Sequence, residues 1–408
     1  MATAAVGGLF GRGQTAVVLA GCAVALVTFG ARAGFGLFLE PMSTSNGWGR
    51  EVFAVAIGIQ NILWGVGQPI AGMLADRFGT TRVLIGGALV YFAGLVLMAL
   101  STTPLMFHLS AGVLVGVGGA GASFALVMAA VGRMVSDDQR SKALGIVVAS
   151  SSLGQFLLAP LAQGLILGFG WSAALVALGC IVLTVIPLSL AFRGEIAGAA
   201  AAGGQTIGGA LKEAAGHGSY WLLVAGFFVC GFHVAFVQTH LPAFIVDQGL
   251  DPRIGAWAIA LVGLFNIVGS YSAGLLGGRY SKKYILSLIY LGRAVVIALY
   301  VTLPVSGFTT LAFAGAMGLL WLSTVPPTSG LVALMFGPRY MATLFGIVFL
   351  SHQVGAFLGV WLGGWYFDST GSYGPVWWMG VALACFAALV HLPILERPVA
   401  RRAAAAGA

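Results

Sequence analysis

The sequence predicts an all-α membrane protein with twelve transmembrane helices in two similar halves. Its 408 residues are 59% hydrophobic and only 7% charged, whereas about 25% of residues are charged in a typical soluble protein. A bilayer span needs roughly 20 mostly apolar residues, so the chain is long enough for about twelve spans with short connectors. A soluble protein with so few charges would lack the polar surface that keeps it dissolved.

Apolar runs bounded by charges or by Gly and Pro clusters supply the predicted spans. Six runs come first, at 15–40, 50–75, 82–101, 104–131, 142–167 and 171–192. Six more follow, at 219–246, 254–277, 284–303, 308–334, 341–366 and 374–392. The first run has no cleavage pattern and is expected to remain as a span. We therefore expect an N-terminal six-helix bundle (1–192), a cytoplasmic linker (193–218), a C-terminal six-helix bundle (219–392) and a cytoplasmic tail (393–408).

The basic residues predict the orientation of the chain. With both termini in the cytoplasm, fifteen of the nineteen Lys and Arg residues fall in cytoplasmic segments, and only Arg50 and Arg253 in outer loops. Such an excess of Lys and Arg marks the cytoplasmic loops of membrane proteins. The Ala- and Gly-rich composition and the lack of an N-glycosylation sequon indicate a multi-pass protein of a bacterial inner membrane.

An internal repeat at an offset of 201–202 residues relates the two halves. The clearest match pairs Gly145-Ile146-Val147 with Gly346-Ile347-Val348, and Gly154 with Gly355. Two halves with the same topology around a central cavity are an architecture of transporters that alternate access between the two sides of a membrane.

Two loops carry a family resemblance. The loop after span 2 reads GMLADRFGTTR (72–82) and is similar to the G-x-L-a-D-r-x-G-r-r signature of the major facilitator superfamily. Its echo after span 8, GLLGGRYSKK (274–283), has Gly278 where the signature has Asp, and DDQRSKALG (137–145) resembles the R-x-x-A-x-G stretch of the family. Together with the twelve spans, these motifs resemble that superfamily over essentially the whole chain. The general pattern is most similar to bacterial monocarboxylate porters and oxalate–formate antiporters.

The resemblance implies a secondary transporter that moves a small molecule across the lipid bilayer as a monomer. The residues themselves indicate no enzymatic activity, because no nucleophile–base pair is discernible, no metal, because the histidines are scattered, and no nucleic-acid partner, because no basic patch is present. No cofactor is expected. Signature charges of this kind bias the equilibrium between two rocking states, because an ion pair such as Asp76 with Arg140 forms in only one of them. The residues expected to form this conformational switch are Gly72, Asp76, Arg77, Gly79, Arg82, Arg140 and Arg279.

Arg32, in the first span, is the candidate anchor for a substrate. A charge in the bilayer interior costs roughly 2.5–3.5 kcal/mol on insertion scales, so such residues are functional candidates. No span interior contains Asp or Glu, and an arginine without an acidic partner is matched by an anion, bidentately if the anion is a carboxylate. The alternative is an arginine bonded to helix-end carbonyls or extended toward the membrane surface.

Other polar or aromatic residues within the spans are further candidates for substrate contact: His233, His352, Gln353, Gln60 and Trp321. Candidates for proton coupling are His233, His352 and Glu40. Histidine titrates near neutral pH, and the carboxylate of Glu40 is a candidate proton acceptor at the outer end of span 1. Neutral histidines in packing roles are the alternative. Arg293, in a span that the resemblance places at the periphery, is expected to be structural. The pair Pro326-Pro327 predicts a bend in span 10.

The predicted function is secondary active transport of a small organic anion, a mono- or dicarboxylate. No phosphate-binding Gly-rich Lys loop is present, so the energy is expected to come from a gradient. Two alternatives stay open. One is a transporter of a larger amphipathic or aromatic solute, and the other is a non-transporting sensor or membrane scaffold.

Overall fold

The structure, a computed structural model, describes residues 12–193, 207–337 and 340–399. Most of the predicted linker and the end of the predicted tail lie outside these ranges. All regular secondary structure of the described residues is helical. Eleven helices are long and apolar enough to cross a membrane, and one of them, Lys142–Phe192, breaks at Gly170, where φ is 83°. That helix therefore supplies two spans, and the predicted all-α fold with twelve membrane helices is confirmed.

The twelve helices are numbered in chain order. The first half contains α1 (Gly13–Asn46), α2 (Arg50–Phe78), α3 (Thr80–Ala99), α4 (Pro104–Met134), α5 (142–169) and α6 (171–192). The second half contains α7 (Gly218–Asp247), α8 (Pro252–Arg279), α9 (Lys282–Thr302), α10 (Gly307–Phe336), α11 (Thr343–Thr370) and α12 (Gly374–His391). A short helix, Ile207–Ala215, precedes α7.

Several of these helices change geometry within the span. α4 contains a π-helical segment, His108–Leu114, and a break between Gly121 and Phe124. In α1 the first α-helical segment ends at Ala33, and a 3-10 turn at Phe35–Phe38 follows. In α10 the α-helix stops at Leu320 and a new one, Val325–Phe336, begins. Pro326 and Pro327 lie in the first turn of the new segment, where a missing N–H breaks no intrahelical hydrogen bond. The bend predicted from this proline pair is thus a complete interruption of the helix.

Each half packs around an apolar core of its own. The first core is built mainly from residues 17–192 and the second from residues 214–394. A few residues of the second half, among them Ile259 and Val360, join the first core. These residues mark where the two halves touch.

Equivalent glycines lie at close helix crossings in the two halves. α5 approaches α1 at Gly154, where a Cβ atom would overlap the carbonyl of Leu26. α11 approaches α7 at Gly355, where a Cβ atom would overlap the carbonyl of Phe228. Small residues allow such close approach of helix backbones in membrane bundles. The Gly154–Gly355 match in the sequence repeat therefore has a packing cause.

The bundle has two ends, which we name from α2. The Arg50 face is the end at which α2 begins, with Arg50 as its first residue. The basic face is the opposite end, where Asp76 and Arg77 lie in the last turns of α2. The excess of Lys and Arg near the basic face predicts that it is cytoplasmic.

The halves touch from the Arg50 face to the middle of the bundle. Along α2, a Cβ atom on Gly58 would meet the ring of Phe357, and one on Gly65 would meet the side chain of Gln353, both on α11. α5 and α8 touch in the same zone. There Gln155 Nε2 donates to the carbonyl of Ile259 at 2.9 Å, and Asn266 Nδ2 donates to Ser152 Oγ at 2.9 Å.

The contact between the halves is lost toward the basic face. Gly72 lies seven residues after Gly65, and Gly346 seven before Gln353, so each continues the same helix stripe. Among the described residues, no heavy atom lies within 4 Å of the position of a Cβ on Gly72 or Gly346. The same holds for Gly145 on α5, seven residues before Ser152. The structure is therefore closed at the Arg50 face and open at the basic face.

Replacing the two crossing glycines is expected to destabilise the protein in both halves alike. Gly154→Val and Gly355→Val should each cost about 1–3 kcal/mol or more, because backbone would have to move. Gly145→Val and Gly346→Val, in the same two helices, serve as matched controls and should leave the melting temperature in detergent nearly unchanged. Equal losses at all four positions would contradict the packing role of the crossings.

Candidate functional site

Arg32 lies where the first α-helical segment of α1 ends. The segment stops at Ala33, so the guanidinium is close to the negative end of the helix dipole, which favours a cation. Its Nη2 donates a hydrogen bond to Asn61 Oδ1 on α2. The guanidinium also lies over the ring of Trp64, with Cζ 4.3 Å from the ring centroid. These contacts fix the orientation of the Arg32 side chain.

The positive charge of Arg32 has no acidic partner among the described residues. Asn61 and Trp64 are neutral, and the buried Nε–H of Arg32 has no acceptor in the part of the chain that the structure describes. Glu40 lies further along α1, toward the Arg50 face, where its carboxylate accepts from Thr44 Oγ1 at 3.0 Å. Glu40 and Arg32 therefore form no ion pair among the described contacts.

Arg32 lines two adjoining cavities. The first, here called the N-terminal cavity, lies within the first half. The polar and aromatic residues that line it include Thr28, Arg32, Gln60, Trp64, Tyr91 and Ser123. The second, here called the interface cavity, lies between α1, α2 and α7. Its lining includes Arg32, Phe35, Gln60, Asn61, Gln238 and Thr239.

Gln60, a predicted site residue, lines both cavities with Arg32. Its side chain is buried and its Oε1 accepts no hydrogen bond. Asn61, Trp64 and Tyr91 were not selected from the sequence as site residues, because a polar or aromatic residue within a span is most often a packing residue. Their positions in helices α2 and α3 relative to Arg32 only become visible in the folded bundle.

His233 lies away from both cavities. It is fully buried in the second half, where its Nε2 is 2.8 Å from the carbonyl of Gly380 on α12. Although His233 occupies the position of Arg32 in the sequence repeat, its side chain faces the interior of its own bundle. His240, two turns further along α7, bonds in a similar way to the carbonyl of Val360, at 2.8 Å.

His352 and Gln353 lie on α11, which faces the first half. The ring of His352 stacks on Phe349, with ring centroids 5.6 Å apart, and its Nδ1 is 3.3 Å from Gln353 Oε1. Gln353 packs against Gly65 of α2, and its buried Nε2 has no hydrogen-bond partner. Of the predicted substrate contacts from the second half, Gln353 is therefore the one placed where the halves meet.

Trp321 lies at the break in α10, buried in the core of the second half. The break frees backbone groups that neighbouring side chains satisfy. Arg293 of α9 donates to the carbonyls of Leu320, at 2.7 Å, and Trp321, and Asn266 Oδ1 accepts from the N–H of Leu322 at 3.0 Å. The expected structural role of Arg293 is thus to bridge α9 to the interrupted helix.

A cluster of charges joins the halves at the Arg50 face. The guanidinium of Arg50 forms a bidentate ion pair with Asp247 at the end of α7, with both N–O distances 2.6 Å. Its Nη1 also donates to the hydroxyl of Tyr373 at 2.8 Å. The centroid of the Phe367 ring lies 3.7 Å from Cζ of Arg50. We call Arg50, Asp247 and Tyr373 the Arg50 clamp.

The carboxylate of Asp368, on α11, strengthens this connection. It accepts from the backbone N–H groups of Arg50, at 2.9 Å, and Glu51, at 2.8 Å. These groups have no partner within α2, and the positive end of a helix favours a carboxylate. Sequence reasoning treated Arg50 as an outer-loop charge, because partners 197 and 318 residues away give no local signal.

The charges of the signature lie at the basic face, within the first half. Asp76 forms a salt bridge with Arg133 of α4 at 3.6 Å, whereas Nε of Arg140, the partner expected from the sequence, donates to the carbonyl of Gly132 at 2.6 Å. Gly79 ends α2 with φ 88°, a conformation that other residues rarely adopt.

The remaining expected switch residues also lie near the basic face. Arg77 is in the last turn of α2, Arg82 in the first turn of α3 and Arg279 in the last turn of α8. Together with the Arg50 clamp, this geometry describes a two-bundle membrane transporter that is closed at one end.

The chain belongs to the Major Facilitator Superfamily, whose family profile matches residues 21–360. An uncharacterised MFS-type transporter of Bacillus subtilis, YcxA, is 25% identical over 394 residues, which cover 91% of this chain and 92% of that protein. Monocarboxylate transporter 13 of Bos taurus is 26% identical, over 88% of this chain and 83% of that protein. Monocarboxylate transporter 11 of Mus musculus is 28% identical, over 88% and 82%.

A solved structure shares the fold. The crystal structure of a bacterial homologue of the human lysosomal transporter Spinster, inward-facing and unoccupied, matches with a TM-score of 0.72. The match covers 95% of this chain and 96% of that chain at 15% identity. The family match and the relatives named as transporters show that the chain is a transporter and not an enzyme, as expected from the sequence.

Arg50→Gln is expected to open the Arg50 face. Arg50 is buried but Asp247 is exposed, so removal of Arg50 costs less than the about 3–5 kcal/mol of a fully buried pair, and this loss falls on the state closed at that face. A cysteine introduced by Val360→Cys, with the native cysteines replaced by serine, reports the opening through a water-soluble maleimide. We expect labelling to accelerate at least tenfold.

Arg253→Gln is the matched control. Arg253 pairs with Asp251 at 4.0 Å in an exposed position near the same face, and exposed pairs contribute only about 0–1 kcal/mol. Labelling should stay at the wild-type rate. Equal labelling in Arg50→Gln and wild type would show that the Arg50 clamp does not hold the face closed.

Proposed function

We propose that this transporter carries a small organic anion whose carboxylate binds Arg32. The observation that supports this is the guanidinium itself, which lies at two cavities without an acidic partner among the described residues. An arginine can bind a carboxylate with two parallel hydrogen bonds. The relatives named monocarboxylate transporters agree with an anionic substrate.

The charge of the cavities favours a monoanion over a dianion. Arg32 is the one cationic residue among the described lining of both cavities. A dicarboxylate would bring a second negative charge that Arg32 cannot also neutralise, and an unpaired buried charge is costly. Between the two classes expected from the sequence, we therefore propose monocarboxylates.

Substrate would reach Arg32 from the basic face, which is open. If the excess of Lys and Arg sets the orientation, this face and both termini are cytoplasmic, and the structure is in an inward-open state of a bacterial inner-membrane protein. Rocking of the halves would then break the Arg50 clamp and close the basic face. The cycle requires one chain only, which fits the expected monomer.

We also propose which residues take part in proton coupling. His233 is fixed to a backbone carbonyl within its own bundle. His352 lies next to Gln353 on α11, with its Nδ1 3.3 Å from Gln353 Oε1, so of the two histidines we propose His352 for proton coupling. Glu40, at the opposite end of α1 from the open face, remains the candidate for proton exchange on the other side.

Arg32→Gln is expected to abolish binding of carboxylates. A ligand that binds the folded state raises its apparent stability, so the melting temperature of purified protein is measured with formate, acetate, propionate, butyrate and succinate. Wild type should be stabilised by the monocarboxylates, and Arg32→Gln by none of them.

Arg293→Gln controls for loss of an intramembrane arginine that touches neither cavity. It should lower the melting temperature without ligand but keep the upward shift with carboxylates. Stabilisation of wild type only by neutral or aromatic compounds, unchanged in Arg32→Gln, would contradict the proposal. That result would favour a larger amphipathic or aromatic solute.

Asp76→Asn is expected to slow transport and leave binding intact. The salt bridge with Arg133 lies at the face that must open and close, far from the cavities. Uptake of the stabilising carboxylate into proteoliposomes should fall several-fold, while its affinity stays within about twofold. Asp251→Asn, at an exposed pair, should change neither. Wild-type uptake by Asp76→Asn would rule out a switching role.

A further inference from the structure

The N-terminal cavity contains a second hydrogen-bonding group without a partner. Tyr91, on α3, is 1% exposed, and its hydroxyl makes no hydrogen bond with any residue that the structure describes. Buried tyrosine hydroxyls almost always have a partner. The hydroxyl of Tyr91 and the Nε–H of Arg32 are thus two donors that line the same cavity and have no partner among the described residues.

The position of Tyr91 follows from a tight contact between α3 and α4. A Cβ atom on Gly118 would overlap the backbone of Tyr91, so these helices pack almost backbone to backbone. Tyr91 is therefore held by the fold, and its hydroxyl cannot reach another partner by a shift of α3.

The next residue of α4, Gly119, forms part of the cavity wall. A Cβ atom on Gly119 would meet no heavy atom of the described residues within 4 Å. Packing of the bundle therefore does not require glycine at this position. The missing side chain leaves space in the cavity instead.

We infer that the carboxylate is bound inside the N-terminal half, between the Nε–H of Arg32 and the hydroxyl of Tyr91, in the space that Gly119 leaves. This inference rests on the proposed function and adds its binding subsite. Both donors and the wall belong to helices α1, α3 and α4. The substrate would consequently be held by one half, while the other half closes over it.

Three variants of the full chain test this subsite with radiolabelled acetate and propionate. Tyr91→Phe removes only an oxygen that has no partner, so folding is preserved and affinity for both should fall roughly tenfold or more. Gly119→Val fills the cavity and should also weaken binding at least tenfold. Gly86→Val, on α3, is the matched control, because Gly86 is exposed and no described heavy atom lies within 4 Å of its Cβ position. It should bind within twofold of wild type.

The outcomes separate this inference from the proposed function. Loss of binding in Arg32→Gln, with wild-type affinity in Tyr91→Phe and Gly119→Val, would overturn the subsite and leave the proposed function standing. Absence of carboxylate binding by wild type would overturn both. If Gly119→Val does not fold, as judged by its melting temperature, Tyr91→Phe decides the result alone.

Discussion

The uncompensated guanidinium of Arg32 is the constraint on which the proposed site depends. A charge inside a bilayer costs about 2.5–3.5 kcal/mol on insertion scales. The contacts with Asn61 and Trp64 reduce this cost but supply no negative charge. An anion that enters the cavity would neutralise the charge of Arg32 and so reduce this cost. The free energy recovered in this way would contribute to binding of the anion. The same reasoning disfavours neutral ligands and dianions.

The charges at the two ends of the bundle act on different contacts. The Arg50 clamp joins the first half to α7 and α12, whereas the salt bridge between Asp76 and Arg133 lies entirely within the first half. Separation of the halves at the Arg50 face must therefore break the Arg50 clamp, but it need not break the salt bridge between Asp76 and Arg133. The Arg50 clamp therefore favours the observed state. The salt bridge between Asp76 and Arg133 instead joins α2 to α4 at the basic face, within the first half.

The sequence was sufficient for the fold because apolar runs and an internal repeat are local or periodic signals. It singles out Arg32 as a candidate, since a charge in a span has few explanations, and the structure places the predicted Gln60 at the same two cavities. The sequence does not give the direction of the His233 side chain, which faces the interior of its own bundle. That direction depends on how α7 is rotated about its axis by the helices packed around it. The Arg50 clamp and Tyr91 were missed for a related reason. The Arg50 clamp is formed by partners on distant helices. Tyr91 stands out because its hydroxyl lacks a partner among the described residues.

The most direct test of the account introduces a carboxylate into the cavities that Arg32 lines. Gln60 lines both cavities with Arg32, and its Oε1 accepts no hydrogen bond, so Gln60→Glu places a negative charge beside the guanidinium with little change in shape. The melting temperature is measured with and without acetate. The account predicts a higher value without acetate than in wild type and no further rise when acetate is added. A lower value without acetate, together with a rise as large as that of wild type, would contradict it.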